Sequence, residues 1–362
     1  MNKLGIIALE SARSLGAKVN DILSYWRENE SGFLIESECP RFGSGEGKGL
    51  IHRSVRDTDL YILVDICNNS LTYKMDGSLN RMSPDDHYQD LKRIITACNG
   101  KASRLTVIMP FLYEGRQHRK TARESLDCAV MLRELENMGV HEIITFDAHD
   151  PRMQNVTPLN GMDNVSPALQ FTQALLARYE DLTIDGDHLM FIAPDEGATE
   201  RAVFLASIFG VNIGMFYKRR DYTRIVDGMN PIVAHDFCGR SVEGMDVVVA
   251  DDMISSGGSM LDVAAKLKGL GARRVFIFST FGLFTNGFAK FDAAYEQGSF
   301  DMIFTTNLIY QKPELLEKPY YTSVNMGHYI AAIIDHLNKG EPLSELVTPA
   351  KRIADAIKLY KG

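Results

Sequence analysis

Two carboxylates, three hydroxyls and two glycines crowd the stretch from Asp251 to Ser259: Asp251, Asp252, Ser255, Ser256, Gly257, Gly258 and Ser259. Glycines let a backbone turn tightly and bring its N–H groups close to an anion. Serines add hydroxyl donors at a helix N-terminus that already favours negative charge. A phosphate monoester suits that setting. The paired Asp251 and Asp252 would repel a phosphate, so their partners are hydroxyl groups of a sugar or a hydrated divalent cation. A sugar phosphate with a metal is therefore the implied ligand. The plainer alternative is a tight turn whose Asp and Ser cap the helix that follows.

Other clusters hold residues of the right type for chemistry. Tyr217–Arg224, YKRRDYTR, leaves an apolar strand and packs Lys218, Arg219, Arg220 and Arg224 into an otherwise acidic protein. Cations there would neutralise charge on a transferring phosphoryl group; a solvated charge run is the alternative. Phe146–Asp150, FDAHD, puts His149 between carboxylates at a strand end, where it would suit metal or phosphate, although local grounds favour a structural histidine. In Ile192–Arg201, IAPDEGATER, Asp195 would hold Mg2+ or cap a helix, and spacing does not separate the two. Pro110–Lys120 offers Arg116, Gln117, His118, Arg119 and Lys120 as donors for a polyphosphate or a purine edge. Arg41–Gly49, RFGSGEGKG, resembles a Walker A loop superficially. It fails, since Gly49 follows Lys48 where Ser or Thr must reach Mg2+ and no strand precedes it, so it reads as a flexible turn.

The elements that must position these residues alternate. Apolar runs predict strands at Leu60–Ile66, Leu105–Met109, Ile143–Phe146, Leu189–Ala193, Ile213–Tyr217, Val247–Ala250, Val275–Ser279 and Met302–Thr305. Amphipathic stretches predict helices over His87–Cys98 and Thr121–Met138, and from Met260 to a cap at Gly271. The fold class is α/β with mainly parallel sheets. The stretch Asp150–Asn164 is rich in Pro, Asn, Asp and Gly and marks a domain junction. We expect domains at 1–160 and 161–320, similar in plan, with a strand and helix near 321–338 returning to the first. A helical tail spans 341–362, amphipathic from Leu346 to Leu359.

With 362 residues the chain can form two ordinary domains. A net charge of −8 argues against nucleic acid or an anionic membrane as partner, so an anionic substrate must meet local cationic clusters. No apolar run reaches the roughly 18 residues of a membrane span. MNKLGIIALESARS lacks the apolar core and cleavage site of a signal peptide, so a cytoplasmic protein is expected. Cys39, Cys67, Cys98, Cys128 and Cys238 are widely spaced with no CxxC pair, which indicates neither a disulfide framework nor a zinc site.

Taken in order, RFGSGE, VRDTDLYI, PFLYEGRQHRK, FDAHD, APDEG, YKRR and VVVADDMISSGGS resemble the ribose-phosphate diphosphokinases, the phosphoribosyl pyrophosphate (PRPP) synthetases, from about Leu4 to about Leu337. The acidic loop alone would fit any type I phosphoribosyltransferase; YKRR and FDAHD narrow it to the synthetases. The resemblance implies two similar type I phosphoribosyltransferase-like domains with the active site between them. The implied reaction is transfer of the diphosphoryl group of Mg-ATP to C1 of ribose 5-phosphate, giving PRPP and AMP. Lys218 and Arg220 match the mobile catalytic pair, and His149 the strand-end histidine that contacts ATP phosphate and metal. Ser255–Ser259 would hold the 5-phosphate, with Asp251 and Asp252 at the ribose hydroxyls and Mg2+, and Asp195 as a further metal residue. Arg116, Gln117 and Arg119 match the ATP-binding run; Phe42, Ser44 and Glu46 match a segment that reaches the adenine from a neighbouring subunit.

Members assemble as dimers and commonly hexamers, so a homo-oligomer is implied. Departures from the family pattern are Ser255 and Ser256 in place of an acidic residue and a Thr, His118 for Asp, Glu114 for an aromatic and Ala198 for Gly. An insertion around Lys74–Asp86 also lies outside it. The rival readings are a phosphoribosyltransferase that consumes PRPP and a non-catalytic regulatory homologue.

Overall fold

The computed structural model describes residues 3–28, 30, 32–220 and 232–361, and within these the side chains of all but 218–220 and 232–235. The chain forms two compact units, one of Met1–Pro167, Asn307–Tyr310 and Asn325–Thr348, the other of Ala168–Thr306, Gln311–Val324 and Pro349–Gly362.

The first unit is built on a fully parallel sheet of Lys3–Ala8, Thr58–Leu63, Arg104–Ile108, Glu142–Phe146 and Gly161–Val165, in that order. Every residue of Thr58–Leu63 is buried, as a central strand covered on both faces demands. One face packs Leu60, Ile62 and Val107 against Leu91, Ile94, Met131 and Leu135 of the helices Pro84–Cys98 and Asp127–Asn137. The other carries Arg13–Trp26 and Gly327–Lys339, which pack on each other. A polar lock holds the helix Gly327–Lys339 in place. Asp59 accepts from Arg104 Nε at 2.7 Å and Asn338 Nδ2 at 2.8 Å, while Asp335 accepts from Arg27 Nε at 2.8 Å.

The second unit has a seven-stranded sheet ordered Ile232–Cys238, Asn212–Arg220, Leu189–Ala193, Asp246–Ile254, Arg274–Gly282, Met302–Thr306 and Tyr321–Val324. Only Ile232–Cys238 runs antiparallel. Met190, Val247, Val249 and Ile277 meet Met260, Val263 and Leu267 of the helix Gly258–Gly269. Burying one such side chain is worth roughly 1.5–3 kcal/mol, so this helix is anchored by its apolar stripe.

The expected strands form, and both sheets are mainly parallel. Several boundaries move for physical reasons. Gly161–Val165, at the end of the expected junction 150–164, instead pairs with Glu142–Phe146 as the fifth strand of the first sheet, so the first unit runs on to Pro167 rather than ending at 160. The helix expected from Thr121 begins at Asp127, because Thr121 bonds to Glu124 and Ser125 to Asp127 through side chains that compete with helical hydrogen bonds. The strand near 321 pairs with Met302–Thr306 in the second sheet, so only the helix Gly327–Lys339 joins the first unit. Pro349 follows a break that splits the tail into Ser344–Val347 and Ala350–Lys361; the longer helix packs on Ala168–Arg178 and Thr199–Phe209, with Tyr360 donating to the Tyr179 carbonyl at 2.7 Å.

The segment 74–86 is not structureless. Thr72–Met75 and Ser78–Arg81 form a hairpin closed by Asp76 and Gly77, both at positive φ, the conformation that favours an Asp-Gly turn. Among the described residues no helix is long and apolar enough to cross a membrane.

Candidate functional site

In the second unit the strand Asp246–Ile254 does not stop at Ala250. It continues through the acidic pair, with Asp251 beside Ser279 and Ile254 beside Gly282. Asp251 and Asp252 are therefore strand residues on a rigid ladder. The loop shrinks to Ser255, Ser256 and Gly257, and Ser259 lies in the helix's first turn. Gly257 is the N-cap, left-handed at φ 82° and ψ −9°, and a Cβ there would stand 2.1 Å from Cζ of Phe291. Only glycine meets both demands. As a glycine, the N-cap has no side chain with which to cap the helix. The first amides of the helix lack intrahelical acceptors and present a positive end to the loop.

Asp252 is buried, and its N–H donates to Asp251 Oδ1 at 2.9 Å. Burial pushes the Asp251 carboxyl well above the ordinary carboxylate range, the neighbouring Asp252 charge adds to this, and Arg201 opposes it. Arg201 Nη1 stands 4.0 Å from Asp251 Oδ1. A cation or a sugar's hydroxyl donors at the pair would relieve that strain. Asp195 follows the paired strand Leu189–Ala193 and caps the short turn Glu196–Ala198, accepting from the Gly197 N–H at 3.1 Å. Ala198, where the resemblance implies a glycine, is fully buried.

Among the described residues there is no group of three or more His, Cys, Asp or Glu arranged to hold a metal ion. Two adjacent carboxylates still fit Mg2+, which keeps most of its waters and binds through one or two carboxylates plus substrate phosphates. Lys218 and Arg220 end the strand Asn212–Arg220; their side chains lie outside the described residues, as do 221–231 with Arg224.

In the first unit, His149 is exposed after the strand Glu142–Phe146. His118 comes to it from the 110–120 segment, with ring centroids 5.4 Å apart, and its Nε2 lies 3.6 Å from Asp150 Oδ2. Asp150 accepts two side-chain bonds from Arg152, at 2.9 and 2.6 Å, which hold its carboxyl down at about 2. Gln117 is engaged through Nε2 with the Ser125 carbonyl at 2.8 Å, whereas Arg116 and Arg119 are exposed.

The turn 41–47 is ordered by its own bonds: Phe42 N–H to Glu46 O at 2.7 Å, Gly45 N–H to Phe42 O at 2.9 Å, and Ser44 Oγ to Glu46 Oε2 at 2.8 Å. Phe42 is left 54% exposed, an aromatic face open to a flat partner. Sequence reasoning missed Arg201, although it ends the IAPDEGATER motif. It also missed Arg41, whose guanidinium grips Asp90 at 2.5 and 3.0 Å.

Residues 4–139 match the N-terminal domain of ribose phosphate pyrophosphokinase and residues 167–295 the phosphoribosyl transferase domain. Ribose-phosphate pyrophosphokinase of Vibrio parahaemolyticus serotype O3:K6 is 27% identical over 318 residues, which cover 86% of this chain and 91% of that protein. Ribose-phosphate pyrophosphokinase A of Dictyostelium discoideum is 23% identical over 354 residues, covering 97% and 99%. The crystal structure of phosphoribosylpyrophosphate synthetase from Mycobacterium smegmatis has the same fold, with a TM-score of 0.76 at 20% identity over 93% of this chain and 99% of that one. The two matched domains in their order, with relatives of one name that align along most of both chains, make this chain a member of the ribose-phosphate pyrophosphokinase family.

Proposed function

We propose that the protein transfers the diphosphoryl group of ATP to the C1 hydroxyl of ribose 5-phosphate, giving PRPP and AMP. The observation that carries this reading is the helix Gly258–Gly269 opening on a left-handed glycine N-cap, Gly257, with a carboxylate pair fixed on the strand before it. The backbone amides and hydroxyls of Ser255, Ser256, Gly257, Gly258 and Ser259 bind the 5-phosphate. Asp251 and Asp252 orient the ribose hydroxyls, and Arg201 limits the charge the pair must carry.

His149, with Arg116, Gln117 and Arg119, binds the ATP phosphates, and Phe42, Ser44 and Glu46 meet the adenine, which in a homo-oligomer is that of a neighbouring subunit. Lys218 and Arg220 stabilise the group in flight, the main task a protein has in phosphoryl transfer. Asp251 and Asp252, with Asp195 as a further candidate, would hold Mg2+, and His149 would meet metal at the ATP phosphates; bound metal would supply charge neutralisation there. The net charge of −8 suits a cytoplasmic enzyme that acts on free metabolites rather than on nucleic acid.

The test is product analysis with purified protein, Mg-ATP and ribose 5-phosphate. AMP and PRPP are expected in equal amounts. ADP in place of AMP would make it an ordinary sugar kinase and overturn the reading, and pyrophosphate release from PRPP with a purine would make it a phosphoribosyltransferase.

A further inference from the structure

The hairpin Thr72–Arg81 has no part in the chemistry above, yet it touches the turn 41–47 at three points. The Asp76 N–H donates to the Gly43 carbonyl at 2.9 Å. Gly45, at φ +90°, lies so close to Met75 that a Cβ there would stand 2.6 Å from the sulfur. The Tyr73 ring faces the Arg41 guanidinium at 5.3 Å. Arg41 is 7% exposed and is held from the other side by Asp90, which also takes Arg93 at 2.7 Å. Its Nε is buried with no partner among the described residues; Asp90, the Cys39 carbonyl at 3.5 Å and Asp86 at 4.0 Å hold the guanidinium, and the Tyr73 ring faces it.

The hairpin has little else to fix it. A two-stranded hairpin is marginal alone, and Leu79 and Met75 on this one are 68% and 37% exposed. Beneath it lies a cavity of about 320 Å³ lined by Leu9, Ser37, Arg41, Tyr73, His87 and Asp90 among others, so the hairpin is not seated on the core there. The turn for its part adjoins the two-residue strands Ser37–Glu38 and Leu50–Ile51 and reaches the helix Pro84–Cys98 through Arg41 on Asp90 and Gly47 beside Arg93. Hairpin and turn therefore brace each other.

We infer that the hairpin is a positioning element for nucleotide binding: Tyr73 and Met75 hold the turn so that Phe42, Ser44 and Glu46 meet the adenine without first being ordered. Holding a loop in its bound form raises affinity by removing that ordering cost. The inference rests on the proposed function and names the device that sets its nucleotide affinity. Tyr73 and Met75 are positioning residues, since neither belongs to the group that meets substrate.

The experiment measures KM for ATP, KM for ribose 5-phosphate, kcat and the thermal midpoint in the full chain carrying Tyr73→Ala, Met75→Ala or Tyr73→Phe. Tyr73→Ala is expected to raise the ATP KM about tenfold through loss of the ring over Arg41. The ribose 5-phosphate KM and kcat should stay within about twofold of wild type, the shift that separates a change of one binding site from a change in the chemical step. Tyr73→Phe keeps the ring and should restore the wild-type ATP KM. If Tyr73→Ala does not fold, the more exposed Met75→Ala carries the same test. A folded alanine variant with a wild-type ATP KM, or with both KM values raised alike, overturns the inference while leaving the reaction intact. A wild-type protein that makes no AMP overturns the reaction and the inference with it.

Discussion

Gly257→Ala tests how the anion nest is built. The new methyl would occupy a left-handed backbone and stand 2.1 and 2.7 Å from Cζ and Cε2 of Phe291. Phe291 is fully buried and packs edge-on against Phe284 with ring centroids 4.9 Å apart, so it has nowhere to swing. The left-handed conformation costs an ordinary residue about 1–2 kcal/mol, and overpacking a filled core costs roughly 1–3 kcal/mol. Together these predict about 2–5 kcal/mol lost from the second unit. The protein escapes part of that cost only by shifting the loop, which displaces the amides, and a loss of ~1.4 kcal/mol in phosphate binding already appears as a tenfold rise in KM.

The assay pairs urea unfolding, followed separately for each unit because a two-unit chain need not unfold in one step, with KM for ribose 5-phosphate and for ATP. Both the second unit's midpoint and the ribose 5-phosphate KM should worsen, with the ATP KM little changed. Gly258→Ala is the internal control: a Cβ there meets nothing within 4 Å, so its midpoint should stay at the wild-type value. A Gly257→Ala protein with wild-type midpoint and wild-type ribose 5-phosphate KM would refute the account of the loop.

Lys218→Ala should lower turnover by roughly a hundredfold to a thousandfold, the usual loss on removing a group that stabilises transition-state charge, while ribose 5-phosphate binding measured by calorimetry changes little. Arg201→Gln removes the cation 4.0 Å from Asp251. At that distance a unit charge is worth about 1 kcal/mol in water and about 4 kcal/mol at an effective dielectric of 20, so half-saturation by Mg2+ should fall at least ~fivefold, and an unchanged Mg2+ titration would show that Arg201 does not act on the pair. Asp246, buried at the start of the acidic strand, accepts from Arg273 at 2.8 Å and from Arg274 at 3.0 and 2.7 Å. Asp246→Asn should cost about 1–3 kcal/mol, the usual loss when a buried charged hydrogen-bond acceptor is replaced, since Arg274 keeps Asp181 and Arg273 is half-exposed.

The acid side of stability follows from the same cluster. Burial alone would raise the Asp246 carboxyl, but the two guanidiniums more than reverse this and hold it below its ordinary value. Its stabilisation is therefore complete above the unfolded value of about 3.9 and is lost as pH falls through the lower folded value. Unfolding midpoints between pH 5 and pH 2 should fall more steeply in wild type than in Asp246→Asn; parallel curves would contradict this.

How far the sequence speaks for the molecule depends on the range of the interaction concerned. Val247–Ala250 and Leu60–Leu63 are legible because a strand buried on both faces must be apolar without a break. The acidic pair reads as loop because of its polarity, yet the ladder to Ser279–Gly282 carries the strand on to Ile254. Asp76 and Gly77 signalled a two-residue turn that the surrounding polar residues obscured. Arg201 stands by Asp251 and Arg41 grips Asp90, each far along the chain, and no local pattern announces such pairs. The lock of Asp59 with Asn338 is a longer-range case.

The polypeptide passes between the two units after Pro167, Thr306, Tyr310, Val324 and Thr348. A ribosome that has released the first unit's sheet still holds back Asn338, so Asp59 emerges without that partner, and the second unit waits longer still for Tyr360 to reach the Tyr179 carbonyl. Neither half is a contiguous gene fragment. Separate expression of either one requires stitching in residues from beyond the other, and a recombination point inside the chain would leave two unfinished proteins.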